Sequence, residues 1–174
     1  MSPILFSMFL FSLAGAISPG PVNLIAASIG ASAGFLKALP HVTGASVSYS
    51  AIVWLMGSGL HRLLTSYPDI TGQLQWAGAA YLLYLSAKIA TAPPVTEKAS
   101  SLASATGLLQ GVLAQSLNPK AWLVAMSGVS LFVTTSANAP RLLLAFCIMS
   151  GVVCFCSIAT WADRKSTRLN SSHS

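Results

Sequence analysis

Two short stretches hold residue types at odds with their surroundings. Ser18-Pro19-Gly20-Pro21-Val22-Asn23 sets two prolines around a glycine well inside an apolar run, and Gln115-Ser116-Leu117-Asn118-Pro119-Lys120 sets two amides, a proline and an ammonium inside another. Proline lacks a backbone donor and its ring clashes with the preceding turn. In the first stretch the carbonyls around 14–17 therefore lose their partners and need side chains, water or a solute instead. A helix broken this way presents half-helix ends whose dipoles can hold the charged groups of a small solute or an ion. Gln115 and Asn118, three apart, share a face if the turn stays regular. Lys120 would be unfavourable at a bilayer centre by about 2.5 to 3.5 kcal/mol, which favours a wet or polar interior for it. The candidate solute-binding set is Pro19, Gly20, Pro21, Asn23, Gln115, Asn118, Pro119 and Lys120. The plainer readings are a packing kink at the first break and a lysine snorkelling to a headgroup at the second.

The elements that must position these residues are membrane helices. Hydrophobic residues make up 54% of the 174-residue chain and charged residues 7%, a balance that a soluble surface does not carry. Residues 1–36 contain no Asp, Glu, Lys or Arg. A spanning helix needs about 20 predominantly apolar residues, and five such segments are expected near 4–29, 42–60, 74–90, 107–133 and 142–162. They lack the period-two alternation of barrel strands, so the fold class is an all-α integral membrane helical bundle. The first segment has no basic n-region and stays apolar past Ala16, which reads as an uncleaved span rather than a signal peptide. Small residues four apart at Gly30/Gly34, Gly44/Ser48 and Gly107/Gly111 would let helices approach closely.

Each break lies in the first span of a candidate repeat, about 1–92 and about 102–162, with Pro93-Pro94 between them. Interruptions in corresponding spans are the best sequence pointer to a transporter site. A first unit of three spans would make the second run inverted, and only two spans of the second are visible, five of an expected six. Residues 1–162 are thus read as one transmembrane domain. The polar segment 163–174, DRKSTRLNSSHS, is read as a non-native or disordered tail after which a sixth span is lost. Lys37, Lys88 and Lys98 against Arg62 and Arg141 favour an outside amino terminus.

The net charge of +6 comes from scattered cations that form no basic face, which argues against nucleic acid and for lipid headgroups. Cys147, Cys154 and Cys156 read as lipid- or helix-facing thiols. No metal-ligand cluster, cofactor motif or nucleophile with a His/Asp partner stands out, so neither a cofactor nor an enzyme is expected. The only acids are Asp69, Glu97 and Asp163, all in connections or at a span end. A relay through buried carboxylates is therefore unsupported. His41 is the only nearby alternative outside lysine and tyrosine, and it reads first as a headgroup-level histidine. Trp76, Tyr81 and Tyr84 read as an interfacial belt before a cavity wall.

Taken together, Ser18-Pro19-Gly20-Pro21 with Asn23, Gly78-Ala79-Ala80-Tyr81-Leu82-Leu83-Tyr84-Leu85, and Leu117-Asn118-Pro119-Lys120-Ala121 resemble the LysE/RhtB family of amino-acid exporters. The resemblance covers nearly all of 1–162. It implies a multi-pass exporter of amino acids or their derivatives in the bacterial inner membrane, normally with six spans, working by exchange with an ion gradient. Pro19, Gly20, Pro21 and Asn23 match one family motif, and Asn118, Pro119 and Lys120 the other. Many members carry an acid directly after the first motif, where this chain has Val22. The partners implied are a small amino-acid-like solute and the bilayer, with a homo-oligomer left open. A membrane-embedded assembly subunit and an intramembrane hydrolase using a serine with Lys120 are the alternative functions.

Overall fold

The computed structural model describes residues 3–60, 105–134 and 136–170, with isolated positions 66, 67, 69, 73, 76 and 80. All regular structure among these is helical: α1 (Pro3–Ile17), α2 (Pro21–Ala33), α3 (Phe35–Leu55) running into a π-helical turn (Met56–Leu60), α4 (Ala105–Ser116), α5 (Pro119–Phe132) and α6 (Ala139–Asn170). By length and apolarity, Ala139–Asp163 suffices to cross a bilayer alone, and α1 with α2 is long and apolar enough only as a pair bent by 62°, the geometry of a broken span or a re-entrant loop. The segment expected at 74–90, the Pro93-Pro94 link, Tyr81 and Tyr84 lie outside the described residues; Trp76 is exposed.

Both proline breaks are present where the sequence places them. The run at 4–29 divides at 18–20, and that at 107–133 divides at Leu117-Asn118. The second segment differs from expectation. A connection was expected over 34–40, yet Gly34 alone links α2 to α3, its φ of 89° lying in the left-handed region that favours glycine. Pro40 is consequently inside α3, where it removes one helical bond. Segment 142–162 begins earlier, at Ala139, and the helix runs on to Asn170, past the compositional change at Asp163.

Helix α3 is central, packed along α4 on one side and α6 on the other, while α2 and α1 also lie against α6. Its 21 residues mix apolar groups with His41, Thr43, Ser46, Ser48 and Ser50, and of these His41, Ser46 and Ser48 are buried. The headgroup-level reading of His41 is therefore wrong: the side chain has 0% exposure. Burial is possible because α4 comes very close. A Cβ on Gly44 would meet the Leu108 carbonyl, and one on Gly111 the His41 carbonyl. Glycine at both positions lets the two backbones touch. Gly30 plays the same part for α2 against the Ala162 carbonyl of α6. At the other end Phe11, Phe132 and Phe146 join α1, α5 and α6, with Phe11 and Phe132 edge to face at 5.6 Å. Leucine, isoleucine and phenylalanine side chains line the outer faces, among them Phe6, Leu10, Leu123 and Ile148.

Candidate functional site

The chain starts α2 with proline at the first helical turn, Gly20 being its N-cap, and starts α5 the same way with Asn118 as the cap. Proline suits that position because its missing N–H has no helical partner there. What remains is to satisfy the carbonyls at the end of the preceding helix. Asn23 turns back from α2 and donates through Nδ2 to the Ala16 carbonyl at 3.1 Å and the Ser18 carbonyl at 3.2 Å. Ser157 of α6 donates to Ala16 as well, at 2.9 Å, and the Ser18 hydroxyl donates to Gly15 at 3.2 Å. The second break is closed similarly. Trp122 Nε1 donates to the Ser116 carbonyl at 2.7 Å, and Asn118 Oδ1 accepts from the Lys120 backbone N–H at 3.2 Å.

One contact joins the two breaks. Lys120 Nζ reaches across from α5 and donates to the Ser18 carbonyl at 2.8 Å. The ammonium faces the interior and not a headgroup, which removes the snorkelling reading. Gly20 is its direct neighbour, a Cβ there lying 3.6 Å from Nζ in ordinary contact. Behind Lys120 the amides form a chain, Asn118 Nδ2 to Gln115 Oε1 at 3.2 Å and Gln115 Nε2 to Cys154 Sγ at 3.8 Å. These groups surround a cavity of about 40 Å³, room for a few water molecules.

Of the eight residues proposed from sequence, Gly20, Asn23, Gln115, Asn118 and Lys120 line this cavity, and Pro19, Pro21 and Pro119 do not. Pro19 is exposed within the break, while Pro21 and Pro119 occupy the helix starts. The prolines thus shape the site and leave the contacts to their neighbours. Val22 also lines the cavity, so no carboxylate stands at that position. The structure adds Gly15, Ala16, Tyr49, Ala121, Val124, Cys154 and Ile158 to the wall. Of the cysteines, Cys156 is exposed while Cys147 and Cys154 are buried, and Cys154 also faces the polar centre. The signal was the spacing of Cys147, Ser150, Cys154 and Ser157, small polar residues three or four apart on one face of α6.

Among the described residues no group of three or more metal-ligating side chains occurs. The site offers instead one cation, several amide donors and acceptors, and carbonyls already drawn out of helical bonding. That chemistry suits a small solute bearing both a carboxylate and an ammonium.

The model of the LysE type translocator family matches residues 13–174. The chain belongs to that family. Three curated relatives bear the name cysteine/O-acetylserine efflux protein. The one from Salmonella paratyphi A is 29% identical over 163 residues, 93% of this chain and 83% of the relative. That from Shigella flexneri serotype 5b is 32% identical over 140 residues, 80% and 71% of the two chains, and that from Escherichia coli O139:H28 is 31% identical over the same shares. No solved structure matches. As a LysE type translocator the chain is an all-α membrane protein.

Proposed function

We propose that this translocator exports small amino acids or their derivatives from the cytoplasm across the bacterial inner membrane, as a multi-pass protein working by alternating access. The carrying observation is the 2.8 Å bond from Lys120 Nζ to the Ser18 carbonyl, which brings the two proline breaks to one cavity. In this reading the carboxylate of the solute takes Lys120 from Ser18, and the ammonium takes the carbonyl oxygens of Ala16 and Ser18. The C-terminal end of α1 and the N-terminal end of α5 supply dipoles of the matching signs. Because the cavity admits only a few waters, a solute enters when the breaks move apart. The relatives' name makes cysteine and O-acetylserine the first compounds to test. Inversion of the second repeat relative to the first belongs to the same reading, as do the exposed apolar faces turned to acyl chains or to a second copy of the chain.

The hydrolase alternative has less support. Ser18 Oγ is bonded to Gly15 and Ser116 Oγ to Ser48, so among the described residues Lys120 meets a backbone oxygen and no serine hydroxyl. The test is efflux of labelled cysteine and O-acetylserine from cells or proteoliposomes containing the wild type, Lys120→Ala or Asn118→Ala. The proposal expects efflux by the wild type and its loss in both variants with normal membrane insertion. Equal flux in all three would reject the site, and no flux by the wild type would favour an assembly subunit.

A further inference from the structure

The amide chain behind Lys120 has a direction that the backbone sets. The Lys120 backbone N–H can only donate, so Asn118 turns its Oδ1 toward it at 3.2 Å and presents Nδ2 on its other side. That Nδ2 donates to Gln115 Oε1 at 3.2 Å, which leaves Nε2 as the free end of the Gln115 amide. Its acceptor is Cys154 Sγ at 3.8 Å. A thiol sulfur is a weak acceptor, and Gln115 is 5% exposed, so a good donor ends this buried chain with little to hold it.

Tyr49 of α3 lines the same cavity. It is 6% exposed, and its hydroxyl makes no hydrogen bond among the described residues. A buried phenol ordinarily finds a partner. Two polar groups on different helices, Tyr49 on α3 and Gln115 on α4, thus border one cavity without adequate partners. Groups left in that condition cost free energy, and a ligand atom that accepts from both removes the cost. The two ends of a solute sort accordingly. In the transport reading the carboxylate goes to Lys120 and the ammonium to the Ala16 and Ser18 carbonyls. Every amino acid carries those two groups, so these contacts do not tell one from another. The Gln115 amide and the Tyr49 hydroxyl remain for the side chain.

We infer that Gln115 Nε2 and the Tyr49 hydroxyl form a side-chain subsite that selects amino acids whose short side chain carries an oxygen acceptor. The inference rests on the transport reading for the placement of the common groups and adds the residues that discriminate among solutes. A hydroxyl or ester carbonyl oxygen has two lone pairs, one for each donor, whereas a thiol sulfur accepts weakly and a methyl group not at all. Cys154 gives way readily, because the solute oxygen is the better acceptor for Gln115. A site that hydrogen-bonds a solute group rejects the analogue lacking it, since its own buried polar groups then stay unpaired.

The test compares solutes that differ only in the side-chain acceptor, by calorimetric titration of the full chain in detergent. Serine is paired with α-aminobutyrate, and O-acetylserine with homoleucine, its all-carbon isostere. The wild type should bind serine at least about fivefold, and O-acetylserine at least about tenfold, more tightly than the apolar partner. Tyr49→Phe removes a hydroxyl that holds no contact of the fold, and Gln115→Met removes the amide donor at similar length. Each should cut both ratios by at least about threefold. Lys120→Ala should weaken all four solutes and leave the ratios unchanged, a split that a merely structural role for Tyr49 does not produce. Wild-type ratios near one, or ratios retained by Tyr49→Phe, would overturn the inference; should Gln115→Met not fold, Tyr49→Phe alone decides. Flux of labelled O-acetylserine in proteoliposomes separates the two readings. Selective binding without flux rejects transport and leaves the subsite standing, and flux with ratios near one rejects the subsite alone.

Discussion

Replacing Lys120 with methionine separates the structural from the functional part of the contact between the breaks. The ammonium makes one side-chain hydrogen bond, to the Ser18 carbonyl at 2.8 Å. A hydrogen bond to a charged group contributes about 1.5 to 3 kcal/mol. The stability loss should sit at the lower end, about 1.5 kcal/mol, because Ser18 keeps Asn23 Nδ2 at 3.2 Å as a partner. The loss of function should be larger, since among the described residues the cavity wall offers the solute carboxylate no second cation. Forfeiting a charge-assisted bond of about 2 to 3 kcal/mol weakens binding by a factor of roughly 30 to 150. Lys120→Arg should restore only part of it. The Gly20 backbone lies close beside the lysine, a Cβ there falling 3.6 Å from Nζ and 3.7 Å from Cδ, and a guanidinium is wider than an ammonium. Binding titrations with thermal unfolding in detergent would measure both quantities. Refutation would be solute affinity within twofold of wild type for Lys120→Met, or a loss confined to folding.

Other substitutions address the parts that hold this contact. Asn23→Leu removes both side-chain bonds to Ala16 and Ser18 and should destabilise by about 2 kcal/mol, read as a lowered unfolding midpoint. Gly34→Ala should cost about 1 kcal/mol from its positive φ although the space beside it is open, whereas Gly20→Ala, in extended backbone, should leave stability unchanged and alter flux through Lys120. Gly111→Leu should prevent α4 from seating on α3 and abolish folded protein in a size-exclusion assay, because the new side chain falls on the His41 carbonyl.

The two breaks were legible because proline inside an apolar run has few local explanations, and the spacing of Gln115 and Asn118 put their amides on one face, where the structure bonds them to each other. The need for replacement partners was also readable; that Asn23, Ser157 and Lys120 supply them was not, since Lys120 and Ser18 are 102 residues apart and meet only through packing. Two local rules misled. Pro40 suggested a helix boundary, but glycine at 34 made a one-residue turn that leaves the proline inside α3. His41 near a span end suggested a headgroup, but Gly44 and Gly111 bring α4 over it. Cys154 shows the remaining difficulty: an apolar helix displays its polar stripe by spacing, and which neighbour that stripe meets depends on tertiary contacts.

The most direct measurement is cysteine accessibility in a background with Cys147, Cys154 and Cys156 replaced by serine. Ala121→Cys on the cavity wall and Leu123→Cys on the exposed face lie two residues apart on α5. A small membrane-impermeant thiol reagent should modify Ala121→Cys, more slowly when solute is present, and should leave Leu123→Cys untouched. Modification of Leu123→Cys with Ala121→Cys silent would show that the interrupted helices do not enclose a watered path.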